Sequence, residues 1–345
     1  MAKHQADEIR RAIMEEVFWR PGSPVQALAE QFNVTRQGVQ KHLADLVRRR
    51  FVSRKGRGAH QLYRLRATES NRKTYVLRGL AEHDLYDQMI LPSIRDLDVE
   101  TRDVIAYGCT EMINNAIDHS SGKTVRVGFE RTQASVALTV EDDGVGIFRK
   151  VAAALDLPNA REAPLELSKG KFTTDPKRHT GVGVFFTSRA FDRFCARAND
   201  AVLIHKSRED DWRVVDDDAN AATLAVGTRI ILELLVPARR SLTELFSGFS
   251  SGPDEYRFAK TRVPVKLAQF GDEQLISRSQ AKRLLSRVER FDEVLLDFAG
   301  VRAIGQAFSD EVFRVFAAAH PNVRVSIANA NPHVSAMVRR AKSPS

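Results

Sequence analysis

Cysteine is scarce in this sequence, which contains only Cys109 and Cys195. Each stands in an apolar, helix-like run instead of a closely spaced pair, so we expect neither a disulfide framework nor a structural zinc site. No apolar run reaches the roughly 18 residues of a membrane span, and the N-terminal segment lacks the apolar core of a secretory signal. We therefore expect a cytoplasmic protein without a membrane segment.

The charge of the chain is concentrated at one end. Of the 345 residues, 43% are hydrophobic and 28% charged, a balance typical of a globular protein of two or three domains. Residues 1–66 contain 14 Lys and Arg but 6 Asp and Glu, and so carry +8 of the net charge of +9. Because concentrated positive charge attracts polyanions, this segment is expected to bind nucleic acid.

The basic segment has the order of elements of a winged helix-turn-helix. Apolar spacing and capping residues predict three helices, followed by a hairpin joined by Lys55-Gly56-Arg57-Gly58. The stretch resembles bacterial winged helix-turn-helix domains, although a helical module for protein contacts or dimerisation remains an alternative. On the first interpretation, double-stranded DNA is bound by Arg36, Gln37, Gln40, Lys41, Arg54, Lys55 and Arg57.

A carboxylate and an amide share one helical face further along the chain. Residues 67–80 are polar and poorly patterned, and we interpret them as a linker before helical patterns at 85–94 and 99–117. Glu111 and Asn115 are four residues apart, hence about one helical turn. The carboxylate would orient a water beside a terminal phosphate, and the amide would complete a magnesium shell. Taken alone, a solvated helical face explains this pair better.

Two glycine-rich turns supply the missing context. Alternating runs predict strands that lead into Asp142, and the glycines at 144 and 146 permit a tight turn beside a planar ligand. The aspartate would accept a hydrogen bond from an exocyclic amine, which adenine has. Gly181 and Gly183 stand at the start of a helical run predicted over 184–196, where backbone amides suit phosphate.

The order of these elements resembles the GHKL ATPase superfamily of gyrase, MutL and histidine kinases. The resemblance covers roughly residues 80–236 and includes Gly227-Thr228 before a predicted strand at 229–235. It implies ATP and Mg²⁺ as ligands, Glu111 as general base, Asn115 as metal ligand and residues 150–176 as a mobile lid. The implied ATP-binding set is Asn115, Asp118, Asp142, Gly144, Gly146, Lys171, Thr180, Gly181, Val182, Gly183 and Thr228.

Glu111 disfavours a sensor histidine kinase, because these kinases usually carry a different residue at the corresponding position. Gyrase-like ATPases and anti-sigma-factor serine kinases have an acidic residue there. No phosphoacceptor-histidine helix pair is recognisable, and we interpret His119 as a structural or pocket-edge residue.

The C-terminal segment alternates strands and helices, which predicts a small α/β layer domain after a connector at 237–256. Strands are expected at 263–270, 294–298 and 323–328, and helices at 279–288 and 308–319. The stretch 295–304 resembles the central strand of STAS domains, the anti-anti-sigma fold. The serine that this family phosphorylates is absent, and Ser309 is only a nearby substitute. We expect an interaction module without that phosphoswitch, or a domain that merely packs on the ATPase.

The predicted fold class is α+β multidomain. It comprises a winged helix (1–66), a linker (67–80), a GHKL α/β sandwich or Bergerat fold (81–236), a linker (237–256) and a STAS-like α/β domain (257–345). The leading hypothesis is an ATP-dependent DNA-binding regulator, and the alternative is a serine kinase that acts on a STAS-type partner. A gyrase-like DNA clamp would need a transducer domain, which is not recognisable. A protein partner for the STAS-like domain and a homodimer are further expectations, by analogy.

Overall fold

The computed structural model describes residues 2–20, 22–56, 61–172, 181–217, 226–252, 255–269 and 273–342. Its N-terminal unit consists of α1 (Ala2–Trp19), α2 (Val25–Phe32), α3 (Arg36–Arg48) and an antiparallel hairpin of β1 (Val52–Lys55) and β2 (Leu62–Leu65). Thr35 caps α3 by accepting a hydrogen bond from the Gly38 amide. Buried Ile13, Leu28 and Leu43 hold the three helices together.

A seven-stranded antiparallel sheet forms the central unit, in the order β3-β4-β5-β9-β6-β7-β8. Its strands are β3 (Glu69–Val76), β4 (Thr124–Arg131), β5 (Ser135–Asp142), β6 (Arg193–Ala198), β7 (Ala201–Lys206), β8 (Asp211–Asp216) and β9 (Arg229–Leu235). Alternate residues of the central strands, such as Leu138 and Leu232, are buried while their neighbours are partly exposed. One face of the sheet is therefore covered by helices.

The helices of this unit are α4 (Glu82–Leu85), α5 (Val99–His119), α6 (Ile147–Ala154), α7 (Ala163–Lys169) and α8 (Gly183–Ala190). The first continues as a π turn (Tyr86–Ile90) and a 3-10 turn (Leu91–Ser93). The predicted helix at 99–117 and strand at 229–235 are confirmed. Asp98 starts α5 by accepting from the Thr101 amide at 2.8 Å.

Two predictions for this unit were wrong. Residues 69–76 form strand β3 and not a linker. Because β3 lies at the sheet edge and is exposed along most of its length, it has no apolar alternation to reveal it. The helix predicted over 184–196 ends at Ala190, and residues 193–198 form β6 at the centre of the sheet, where burial of alternate residues outweighs helical spacing.

The C-terminal unit is a parallel three-stranded sheet in the order β12-β13-β14, covered by helices. The connector predicted at 237–256 instead contains helix α9 (Leu242–Phe249), which begins with a Ser241/Glu244 capping box. It also contains strand β10 (Ser250–Gly252), which pairs with β11 (Glu255–Phe258). The remaining elements are β12 (Lys260–Pro264), α10 (Arg278–Leu285), β13 (Glu293–Asp297), α11 (Gln306–Asp310), α12 (Phe316–Ala319), β14 (Arg324–Ala328) and α13 (Pro332–Lys342).

The first predicted strand of this unit was displaced, because β12 ends at Pro264 and Val265–Ala268 form a 3-10 turn. A π turn (Glu311–Val315) joins α11 to α12. Ser309 is 1% exposed, and its hydroxyl donates to the Met337 carbonyl at 3.1 Å. No helix in the described part of the chain is long and apolar enough to cross a bilayer.

Close packing of α5 on the sheet predicts the effect of a single methyl group. A Cβ on Gly108 would lie 2.2 Å from Cε2 of the buried Phe191 ring. Gly108→Ala should therefore lower the free energy of unfolding by about 1–3 kcal/mol despite the better helix propensity of alanine. Gly248→Ala in α9 is the control, since nothing lies within 4 Å of its added Cβ. Urea unfolding of both variants checks this, and equal stabilities would contradict it.

Candidate functional site

A cavity of about 280 Å³ lies between α5, α6, the start of α8 and the ends of β5 and β9. Seven of the residues predicted for the nucleotide site line it: Glu111, Asn115, Asp142, Gly146, Gly181, Gly183 and Thr228. They come from four separate stretches of the chain. The structure therefore brings together most of the predicted set.

The acidic end of the cavity is formed by α5. Glu111 and Asn115 lie one turn apart on its partly exposed side, while Cys109 and Ile113 anchor its other side in the core. A Cβ on Gly183 would lie 2.0 Å from Glu111 Oε2, so a larger residue at this position would displace the carboxylate. The backbone amides at the start of α8 thus face the same space as the carboxylate.

The opposite end is built around Asp142, which is 8% exposed. Its Oδ1 accepts hydrogen bonds from the amides of Gly144 at 2.9 Å and Thr228 at 3.3 Å. Burial raises the pKa of this carboxyl above its usual value, and these hydrogen bonds act against the rise. The Thr228 hydroxyl accepts from the Ile147 amide at 2.9 Å, which ties β9 to the first residue of α6.

Asn199, in the turn between β6 and β7, holds the glycine turn in place and was missed in the sequence. Its Oδ1 accepts from the Arg149 amide at 3.0 Å, and its Nδ2 donates to the Val145 carbonyl at 3.1 Å. Gly146 has a φ of 87°, and a Cβ there would lie 2.4 Å from Asn199 Oδ1. Asn199 is too distant in sequence for any local signal to reveal this contact.

Lys150 is a second residue that the sequence reasoning missed. It lines the cavity from α6, and its Nζ donates to the His119 carbonyl. Burial lowers the pKa of this ammonium, and the nearby charge of Asp142 opposes that effect. His119 also lies in the cavity lining. Because residues 150–176 were interpreted as a lid, Lys150 had no predicted helical position, and helix α6 places it in the cavity lining.

Several predicted ATP ligands lie elsewhere. Asp118, which is exposed on α5, and Val182, which precedes α8, both lie outside the cavity lining. Gly144 is also outside the lining, and its backbone amide donates a hydrogen bond to Asp142. Lys171 also lies outside the cavity lining, and its Nζ donates to the Arg290 carbonyl at 2.6 Å. A left-handed backbone at Lys171, with φ of 51°, turns the side chain towards the C-terminal unit. Thr180 lies outside the described residues.

The predicted DNA-binding residues occupy the outer surface of the N-terminal unit. On α3, Val39 and Leu43 face the core. The exposed side chains are Arg36, Gln37, Gln40 and Lys41 on α3 and Arg54 and Lys55 on β1. Arg57 lies outside the described residues.

Comparison with known families identifies two parts of the chain. Residues 88–204 match the family described as histidine kinase-like ATPase domain, and residues 280–335 match the STAS-like domain of unknown function (DUF4325). The chain therefore contains a GHKL-like ATPase domain and a STAS-like domain, as the resemblance implied. No family match covers the N-terminal unit. A search of curated proteins found no match to the chain.

The hydrogen bond between Thr228 and Ile147 predicts a local effect of losing one hydroxyl. Thr228→Val keeps the shape but leaves the Ile147 amide without its 2.9 Å acceptor. We expect a loss of about 1–3 kcal/mol in the free energy of unfolding and faster hydrogen exchange of the first turn of α6. Thr228→Ser keeps the hydroxyl and should behave nearly as the unmodified protein. Unchanged exchange in Thr228→Val would contradict this.

Proposed function

We propose that this protein binds ATP with Mg²⁺ in the cavity and uses the nucleotide to regulate DNA binding by its N-terminal unit. The observation that carries the proposal is the convergence of Glu111, Asn115, Asp142 and the glycines at 181 and 183 on one space. The match of residues 88–204 to a histidine kinase-like ATPase domain independently supports the nucleotide-binding part of the proposal.

Adenine would lie at the Asp142 end of the cavity. The amides of Gly144 and Thr228 donate to Oδ1, and a carboxylate has further lone pairs with which it can accept from an exocyclic amine. The walls beside it include Val140 and Ile230, whose apolar side chains suit a planar base. A carbonyl group in place of the amine would face the carboxylate unfavourably, which favours adenine over guanine.

The phosphates would lie at the opposite end. The first amides of α8 and the glycines at 181 and 183 offer donors at a helix N-terminus, where negative charge is favoured. Mg²⁺ usually keeps most of its shell from water and phosphate oxygens and needs few protein ligands, so the Asn115 amide fits it. Glu111 would orient the attacking water and accept its proton.

We assign DNA binding to the N-terminal unit, because its three helices and basic hairpin resemble a winged helix-turn-helix. Its position is tied to the ATPase domain: Arg193 of β6 donates to the carbonyls of Phe18 and Trp19 at the end of α1. Arg208 forms an ion pair with Glu16 at 2.6 Å. Any ligand that binds two arrangements of this junction with different affinity shifts their balance.

A second candidate is a serine kinase similar to anti-sigma-factor kinases. The presence of GHKL-like and STAS-like domains in one chain favours it. The STAS-like domain of the chain itself is a poor substrate at Ser309, because that hydroxyl is buried and bonded to the Met337 carbonyl. The substrate would therefore be a separate STAS-type protein.

Two substitutions on α5 test the nucleotide site. Asn115→Ala removes the metal ligand and should weaken Mg·ATP binding by about tenfold or more in calorimetry. Glu111→Gln keeps the size of the side chain and should bind Mg·ATP while losing turnover by about 10²–10⁴-fold. Asn114→Ala, which lies on the same helix outside the cavity lining, is the control.

Isotope from γ-labelled ATP distinguishes the two functions. Release as inorganic phosphate supports an ATPase, and transfer to an added STAS-type protein supports the kinase. If the unmodified protein shows no heat of binding with Mg·ATP, both fail. If Glu111→Gln turns over at the normal rate, the assigned base is wrong.

DNA binding is tested on the exposed face of α3. Lys41→Ala should weaken binding to DNA of any sequence and reduce the slope of log affinity against log salt by about 1, because one phosphate contact is lost. Gln40→Ala should instead alter the preference among sequences. Lys282→Ala, an exposed charge on α10, is the control. Equal loss in Lys41→Ala and Lys282→Ala, measured by fluorescence anisotropy over a salt series, would refute this assignment.

A further inference from the structure

Three charged side chains are buried where the ATPase domain meets the STAS-like domain. Lys169 and Glu166 of α7 are 1% and 2% exposed, and Arg287, which follows α10, is 10% exposed. Lys169 Nζ donates to Glu166 Oε1 at 2.5 Å, and an Arg287 nitrogen donates to Glu166 Oε2 at 3.0 Å. We refer to these three residues as the buried charge cluster.

The STAS-like domain supplies further acceptors to this cluster. Lys169 Nζ also donates to the carbonyls of Arg283 at 3.1 Å and Ser286 at 2.9 Å. The ammonium thus has three acceptors, of which two belong to the end of α10. Removing an ammonium group from water is unfavourable in free energy unless its acceptors lie at hydrogen-bonding distance. The cluster therefore permits essentially one relative position of α7 and α10.

The same contacts hold the segment that follows α7. The Thr261 hydroxyl of β12 donates to the Lys169 carbonyl at 2.7 Å. Arg287 donates to the Lys171 carbonyl at 2.6 Å, and Lys171 Nζ donates to the Arg290 carbonyl at 2.6 Å. Residues 169–171 therefore form several hydrogen bonds with the STAS-like domain.

This segment leads directly into the wall of the nucleotide cavity. Phe172 lines the cavity, and its amide donates to the Gly181 carbonyl at 3.1 Å, just before α8 begins. Gly181 has a φ of 71°, and a Cβ there would lie 2.4 Å from the Phe172 carbonyl carbon. The close approach places Phe172 beside the end of the cavity opposite Asp142.

We propose that Lys169, Glu166 and Arg287 are positioning residues that hold residues 170–172 as a wall of the phosphate end of the cavity. Docking of the STAS-like domain then controls how well that end binds ligand. The inference rests on the proposed function, because it concerns the same cavity. By thermodynamic linkage, a ligand that needs this wall also strengthens the docking. A protein that binds the STAS-like domain and displaces α10 would weaken the phosphate end.

The test compares two ligands in variants of the full chain. Arg287→Met removes one member of the cluster and should weaken Mg·ATP binding by about tenfold or more, since it leaves a buried charge incompletely paired. Adenosine reaches only the Asp142 end. Its affinity for Arg287→Met should therefore stay within about twofold of its affinity for the unmodified protein. Arg287→Lys should recover part of the Mg·ATP affinity. Arg314→Met, which breaks an exposed ion pair with Asp310 in the same domain, is the control.

Hydrogen exchange without nucleotide gives an independent readout. The amides of Lys171 and Phe172 and the first turn of α8 should exchange faster in Arg287→Met and not in Arg314→Met. Thr261→Val, which removes only the bond to the Lys169 carbonyl, serves if Arg287→Met fails to fold. Normal exchange and normal Mg·ATP affinity would overturn the inference, as would an equal loss for adenosine and Mg·ATP. If the unmodified protein binds neither ligand, the proposed function fails, and the exchange data alone decide the positioning role.

Discussion

The antiparallel pairing of β5 with β9 is the constraint on which the candidate site depends. Its register sets Glu141 opposite Arg229, and the two side chains form an ion pair at 2.7 Å. Asp142 and Thr228 consequently lie side by side although 86 residues separate them. The Asp142 carboxylate then accepts a hydrogen bond from the Thr228 amide. The Thr228 hydroxyl in turn accepts one from the amide of Ile147, the first residue of α6. A slip of one strand by one residue would turn its side chain to the opposite face of the sheet and separate Asp142 from Thr228.

The three parts of the chain meet through polar contacts as well as apolar ones. Arg189, at the end of α8, is 7% exposed and donates to the carbonyls of Phe185, Ser168 and Arg262. It thereby links the helix that begins at the cavity, the end of α7 and the first strand of the STAS-like sheet. Polar junctions of this kind restrict domains to few arrangements, because each alternative leaves buried donors unpaired.

The regulator and kinase hypotheses share the nucleotide site and differ in what the STAS-like domain does. Under the regulator hypothesis, the STAS-like domain of the chain itself would shape the cavity through α10. In the kinase, a second STAS-type protein would have to reach Glu111 and the phosphates. Tyr107 and Phe246, whose rings are 5.5 Å apart, place α9 beside the acidic face of α5. A substrate that approached from this side of α5 would meet α9.

Much of the architecture was accessible from sequence because the relevant signals are local. Helical spacing revealed α5, the Asp142 turn and the two glycine pairs revealed the cavity, and the alternation of strands and helices revealed the STAS-like domain. Strand β3 and helix α9 were missed. The first is an exposed edge without apolar alternation, and the second lies in a stretch whose Ser, Gly and Pro content is typical of a connector.

By itself, the sequence determined which residues are chemically suited to adenine, metal and phosphate, because residue type and short spacing carry that information. Only the tertiary structure decided that Lys171 and Lys169 contact the STAS-like domain, that Lys150 lines the cavity and that Asn199 holds the glycine turn beside it. The physical reason is that the direction of a long side chain depends on partners distant in the chain. No local pattern encodes such a contact.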